Sequence, residues 1–389
     1  LLILSADRPP ELLHCGANQT TDQSGLYGTH TRFFANLGEP SSELPALRAI
    51  RRLAVRAFSE ATGPRPGPVH LNAQARKPLE PVPPGDALRN RVHAVIEEPL
   101  THLHRVRPLD PTLIESIPEL VVDEVAESLD KASRPVILCG PADVRSAMFV
   151  DVLDRLCERS GALLFAETSS QVRSWSSTRA LGAVDTIWRT ETGRVLGRPD
   201  FVLQLGAAPV SKGWEQLCAS RRIPRVVVQP WAWADPSSDA EAIVHADIGS
   251  FVTALSRAEF HRSRRDGRFV QWFVDAEATV WRTADEILAE SGQPLNEPGV
   301  VRAVLDLAPN PSALFLGNSL PIRDAETWAP PSEKLLVVHT QRGVSGIDGI
   351  VSNAAGVASS IDGATTLLVG DVSFLHDLNG LHLASRVEG

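Results

Sequence analysis

The feature that most constrains this sequence is a recurrence of short apolar runs, each about half a dozen residues long, separated by longer stretches with helical patterning. Nine of them read as strands: "LLILSA", "GPVHLN", "PVILCG", "ALLFAE", "DFVLQLG", "RVVVQP", "ALFLGN", "KLLVVHT" and "TTLLVGD". Near-continuous apolar runs suit strands covered on both faces, and strands alternating with helices suit parallel sheets. The fold class is therefore α/β, with parallel sheets flanked by helices.

At 389 residues the chain exceeds what one hydrophobic core serves, so two or three domains are expected. "RKPLEPVPPGD" (76–86) is Pro-rich and reads as a linker, and the loosely patterned stretch to about residue 115 leads into a second domain. A long helix ends near "SGQPLNEPG" (291–299), where a third unit begins. No repeat of fixed period and no low-complexity tract occurs. The chain opens on an apolar strand without an initiator Met and closes inside a helical pattern, so it reads as an internal fragment.

Composition excludes several classes. No apolar run reaches the ~20 residues needed to cross a bilayer. A formal net charge of −9 argues against general nucleic-acid binding, though a local basic cluster can still hold an anionic ligand. Cys15, Cys139, Cys157 and Cys218 show neither zinc-site spacing nor disulfide-scaffold density, which fits a reducing cytoplasm.

In open α/β sheets ligands bind beyond the carboxyl ends of the strands. After "LLILSA" come Arg8, beside a rigid Pro-Pro, and Gln19, in a Gly-Ala-Asn-Gln turn; Asp7 capping a helix and Arg8 lying over its start is the purely structural alternative. "LQLGAAPVSKGWEQL" turns through small residues to Lys212 without the full dinucleotide-loop spacing, and Lys212 is otherwise a solvated helix-start lysine. "LFLGNSLPIRDAETW" places Gly317, Asn318 and Ser319 directly after a strand and Arg323 soon after. "VVHTQRGVSGIDGIVSNAAGVA" adds Arg342 and glycines at 343, 346 and 349, which let backbone N–H groups approach an anion. Paired arginines at strand ends suit carboxylate or phosphate recognition, the alternative being turn glycines with surface arginines. In "TTLLVGDVSFLHDLNGL", Asp371 either caps the next helix with help from Ser373 or meets a Mg²⁺ that draws its other ligands from a bound diphosphate.

Taken together, "SADRPPEL" with "GANQT", "GPVHLN" with "PLEP", "GNSLPIRD", "RGVSGIDGIVSNAAG" and "GDVSFLHDLNGL" resemble the 2-succinyl-5-enolpyruvyl-6-hydroxy-3-cyclohexene-1-carboxylate synthase family of thiamine-diphosphate enzymes, which serve menaquinone biosynthesis. The motifs run from the first residues to the last. Gly-Asp is shared by the whole thiamine-diphosphate superfamily, whereas Ser-Gly-Ile-Asp-Gly after Arg and Asp-Leu-Asn-Gly-Leu after Gly-Asp are much more particular to this one.

The resemblance implies a three-domain fold with incomplete first and third domains: 1–80 the later part of a pyrimidine-binding domain, 81–294 linker and a central domain without cofactor, 295–389 the first part of a diphosphate-binding domain. It implies thiamine diphosphate with Mg²⁺ or Mn²⁺ as cofactors, and 2-oxoglutarate and isochorismate as substrates. It also implies a homodimer or homotetramer whose active sites lie between the first domain of one subunit and the third of its partner. Arg8, Gln19, Lys212, Arg323 and Arg342 take catalytic and substrate-binding roles by this resemblance. Ser319, Gly346, Ile347, Gly370, Asp371, Val372 and Ser373 take cofactor-binding roles, Asp371 also as metal ligand. A cofactor-activating Glu upstream and a metal-binding Asn downstream fall outside this sequence, so the chain as given is expected to be inactive.

The chain departs from the family pattern at Gly213, where many relatives place a second basic residue, and at Gln341 and Asn353, where Asn and Thr are expected. Those departures bear on substrate affinity more than on reaction type. An acetolactate-synthase-like carboligase or decarboxylase is the alternative within the enzyme class, and a non-catalytic nucleotide-binding protein the alternative outside it.

Overall fold

The computed structural model describes residues 1–62, 67–77, 85–101, 117–142, 144, 146–175, 177, 179–230, 233–290, 296–343 and 345–387. These form two compact units, Leu1–Ser116 with Asp235–Ala246, and Ile117–Ala234 with Asp247–Gly389.

The first unit holds strands β1 (Leu2–Asp7), β2 (Phe33–Gly38) and β3 (Val69–Gln74), parallel and in the order β1-β3-β2. The period-2 alternation of strands sends Val69 and Leu71 to one face, where they bury against Ala57 of the helix Leu44–Thr62. The opposite face of β3 carries His70 and Asn72 instead, both buried. There Ser5 Oγ donates to Asn72 Oδ1 (2.7 Å), and Asn72 Nδ2 donates to Asp7 Oδ2 (2.8 Å) and Asn36 Oδ1 (2.9 Å). Burial holds the His70 imidazole below its usual range. Asp7 is thus part of a buried polar ladder, and the short 3₁₀ turn Pro10–Leu12 that follows takes no side-chain cap.

Of the Pro-rich linker, residues 78–84 lie outside the described residues, as do 102–116 of the stretch that follows. Between them stands a helix, Asp86–Thr101, that sequence patterning did not indicate.

In the second unit, β4 (Pro135–Cys139), β5 (Leu163–Ala166), β6 (Ala180–Leu181), β7 (Phe201–Leu205) and β8 (Arg225–Val228) lie parallel in the order β6-β5-β4-β7-β8. The short β9 (Ala242–Val244) belongs to the segment counted with the first unit. One core of this unit is aromatic: Phe165, Trp188, Trp214, Phe269 and Phe273 are buried together, the last two on the long helix Gly267–Glu290. Cys139, Cys157 and Cys218 are buried and Cys15 is exposed, all four as free thiols, and burial pushes the Cys139 and Cys157 thiols up.

A second parallel sheet in this unit contains β10 (Ser312–Leu316), β11 (Leu336–Thr340) and β12 (Thr365–Leu368), ordered β11-β10-β12. All nine strands read from the sequence are present. The α/β reading with parallel, helix-flanked sheets therefore holds, with β2, β6 and β9 as additions. No helix among the described residues is long and apolar enough to cross a membrane.

Candidate active site

Both sheets of the second unit reverse direction at one place. After β4 the chain builds β5 and β6 on one side and then crosses to β7; after β10 it builds β11 on one side and β12 on the other. The gaps between β4 and β7 and between β10 and β12 are topological switch points, where open α/β sheets form ligand crevices.

The first of these is closed by backbone. Gly140 N donates to Leu205 O (3.0 Å) and Ala207 N to Pro141 O (2.8 Å). A Cβ at Gly140 would stand 2.1 Å from Ala207 O, so only glycine allows the two loops to meet.

The second lies beside Ser319, Gly370 and Asp371, with Arg342 tied to it through Asn318. Gly317 N continues the ladder to Leu368 O (2.8 Å), after which Asn318 and Ser319 leave on one side and Gly370 and Asp371 on the other. Ser319 is exposed, with φ +73° and ψ −119°, a conformation that costs an L-residue ~1–3 kcal/mol and that surrounding structure must hold in place. Asn318 supplies that hold. Only 2% exposed, it donates from Nδ2 to Gln341 O (3.0 Å) and Gly346 O (2.7 Å), and Oδ1 accepts from Arg342 Nη1 (3.3 Å). The sequence showed Asn318 inside a motif; its work of tying two strand-end loops together was not visible there.

Asp371 is exposed at the first position of the helix Asp371–Leu375, and no hydrogen bond to its side chain is formed among the described residues. Val372 is exposed and Ser373 buried behind it, while Gly346 and Ile347 are half-buried in the loop after β11. Among the described residues no group of three or more His, Cys, Asp or Glu could hold a metal. An exposed carboxylate with no hydrogen bond to its oxygens suits a Mg²⁺ that keeps most of its ligands from elsewhere, a diphosphate included, and Asp371 fits such a group in that limited role.

Arg323 and Arg342 are exposed, and Lys212 Nζ pairs with Glu215 Oε2 at 2.8 Å on the surface, an ion pair worth little by itself. In the first unit, Arg8 Nη2 donates to Gln19 Oε1 (3.1 Å), so these two candidates meet each other, and Gln19 takes φ +56°.

No family model matches the chain. Curated relatives do. A 2-succinyl-5-enolpyruvyl-6-hydroxy-3-cyclohexene-1-carboxylate synthase of Sorangium cellulosum is 37% identical over 410 residues, covering 100% of this chain and 64% of the relative. Enzymes of the same name from Haloarcula marismortui (35% over 396 residues; 99% and 66%) and Geobacillus kaustophilus (36% over 398; 100% and 65%) align equally fully. The chain belongs to this synthase family. It spans a little under two thirds of the length of these relatives.

Gln341 and Asn353, where the resemblance leads to an expectation of Asn and Thr, are partners of one another. Gln341 Nε2 donates to Asp348 O (3.0 Å), and its Oε1 accepts from Asn353 Nδ2 (3.0 Å), so the pair pins the Gly-rich loop to the helix Ile350–Ala358. Gly213 has a steric reason. Its N–H donates to Asp185 Oδ1 (2.8 Å), and a Cβ there would fall 2.3 Å from the Asp185 carbonyl oxygen. A side chain of any kind has no room directly after Lys212. Gly213→Ala is accordingly expected to lower stability by ~2–3 kcal/mol in urea unfolding, at the upper end for overpacking, because a backbone oxygen must yield. An unchanged midpoint would show that the helix start can shift freely.

Proposed function

We propose that the protein carrying this chain is a thiamine-diphosphate- and Mg²⁺- or Mn²⁺-dependent transferase of menaquinone (vitamin K2) biosynthesis. It decarboxylates 2-oxoglutarate and adds the succinyl-semialdehyde unit to isochorismate, giving 2-succinyl-5-enolpyruvyl-6-hydroxy-3-cyclohexene-1-carboxylate. The observation that carries this reading is end-to-end similarity to synthases of that name.

Thiamine diphosphate, when bound, supplies the carbanion chemistry. The chain supplies position and charge. Asp371 holds the metal, with Gly370, Val372 and Ser373 around it; Ser319 and Gly346 offer polar groups to the cofactor, and Ile347 an apolar surface. Lys212, Arg323 and Arg342 neutralise substrate carboxylates, a need set by two dianionic substrates meeting a net-acidic chain. Arg8 and Gln19 serve the isochorismate side, and their mutual hydrogen bond presents guanidinium and amide as one unit.

The domains on this reading are 1–80, 81–294 and 295–389, the central one serving no cofactor, and the assembly is a homodimer or homotetramer. A cytoplasmic location is supported by four free cysteines. CO₂ release from 2-oxoglutarate, dependent on thiamine diphosphate and Mg²⁺ and coupled to loss of isochorismate, is the expected result for the natural protein. Turnover of pyruvate with none of 2-oxoglutarate would overturn it in favour of an acetolactate-synthase-like activity.

A further inference from the structure

Lys212 and Arg323 sit on different elements of the second unit, and behind both lies a buried acidic cluster that the reaction does not use. Glu167 is 3% exposed, Glu326 is 7% exposed, and Asp185 is buried beside them. Two guanidinium groups face the three carboxyls. Arg173 Nη1 donates to Glu326 Oε2 (2.9 Å), and Arg189 Nη2 to Asp185 Oδ2 (2.8 Å). Among the described residues Glu167 has no cation. Its Oε1 accepts from the backbone N–H groups of Val210 and of Ser211 (3.1 Å), while Oε2 is buried without a partner among the described residues. Glu167, Asp185, Ser211 and Glu326 line a cavity of about 10 Å³, roughly the space of one water.

A carboxylate buried without a cation is costly, and its remaining recourse is a proton. The arrangement matches a neutral acid: Oε1 as the carbonyl oxygen taking two N–H groups, Oε2 as the hydroxyl that needs an acceptor, and Glu326, which lines the same cavity, as a carboxyl not already taken up by backbone of the Lys212 loop. We propose that Glu167 is held as a carboxylic acid sharing its proton with Glu326, and that this pair is the positioning device that keeps the Lys212 loop and the Arg323 helix in register. The inference rests on the proposed roles of Lys212 and Arg323, but its proton can be tested without them.

The loop before Lys212 is fixed almost wholly by the two acids. Val210 and Ser211 are held by Glu167; Gly213 N and Ser211 Oγ (both 2.8 Å) are held by Asp185; Trp214 N closes on Ser211 Oγ (3.0 Å). Glu326 stands one turn beyond Arg323 on the helix Leu320–Trp328 and also accepts from Thr168 N (2.9 Å) and Oγ1 (3.0 Å), next to Glu167. Losing the proton would set two carboxylates against each other across the cavity and push the two elements apart.

Burial, then the charge of Glu326, raises Glu167 well above the usual carboxyl range; burial raises Glu326, with Arg173 opposing. A raised folded value means that the folded state binds more protons than the unfolded state above about pH 4.3, so this contribution to stability falls as pH rises. The groups facing the pair are Asp185, Arg173 and, through Asp185, Arg189.

The test compares the natural protein with Glu167→Gln, whose amide copies the neutral acid, between about pH 6 and about pH 9. The wild-type thermal midpoint is expected to fall by about 4–8 °C more than that of the variant over this range. Hydrogen-exchange protection of the Val210 and Ser211 amides should fall with pH in the wild type and hold in the variant, and the KM for 2-oxoglutarate should rise with pH only in the wild type. An infrared C=O band of a protonated carboxyl at neutral pH, lost in Glu167→Gln, identifies the proton directly. Equal midpoint slopes or no such band would overturn the shared proton. Equal amide protection in both proteins would overturn the positioning role, whether or not the protein turns over substrate; absence of turnover alone speaks against the proposed function.

Discussion

Arg173→Ala is expected to lower the free energy of unfolding by about 3–5 kcal/mol, the largest stability loss of any single substitution considered for this chain. Arg173 is 3% exposed, and four groups depend on it. Nη1 donates to Glu326 Oε2 (2.9 Å) and Thr168 Oγ1 (3.2 Å), and Nη2 donates to Glu326 O (3.2 Å) and to the carbonyl of Ala329. Truncation leaves the buried Glu326 carboxylate without its cation, and the carbonyl oxygens of Glu326 and Ala329 without these donors. Lysine does not rescue it, because a single ammonium cannot span the fork of contacts that a planar guanidinium reaches. Urea unfolding with an unchanged m-value reads the loss directly. Arg189→Ala supplies the contrast: its side chain is 46% exposed, so solvent screens the pair with Asp185 and the expected loss stays below about 1 kcal/mol. A loss for Arg173→Ala no larger than that would mean that water reaches Glu326.

Asp371→Ala is expected to weaken Mg²⁺-dependent thiamine-diphosphate binding by the natural protein at least ~100-fold, about 2.8 kcal/mol. The direction follows from chemistry: an exposed carboxylate at a switch point, with no hydrogen bond to its oxygens among the described residues, is a hard anionic donor open to a cation. Fold stability should change by less than about 1 kcal/mol, since only a favourable charge at a helix start is lost. Isothermal titration with and without Mg²⁺ separates the two effects. Binding at wild-type affinity would reduce Asp371 to a helix-start residue.

The strands were legible because each is an apolar run bounded by turn residues. β2 was not, since "FFANLG" breaks its apolar character with Asn36, which turns to the buried polar ladder with Asn72. β6 and β9 are too short to leave a pattern. Strand-end candidates such as Asp371 and Arg342 were legible through the rule that ligands gather beyond carboxyl ends. The acidic cluster was not: Glu167, Asp185, Arg173 and Glu326 are spread over 160 positions (326 − 167 + 1), and a sequence gives no sign that a charged residue will be buried. Gly213 looked like a missing charge, and only the approach of Asp185 O reveals it as a required absence of Cβ.

The backbone contact between Gly140 and Ala207 bears on how the central sheet can change over time. A crevice walled by side chains can be widened by single substitutions, each tolerable by itself. A crevice shut by main chain against main chain cannot, because no side-chain change removes a carbonyl oxygen, and any residue larger than glycine at 140 collides before it opens anything. Acquiring a small-molecule site there would take concerted insertions in both loops. Drift by single substitutions is thereby steered away from new ligands at this switch point.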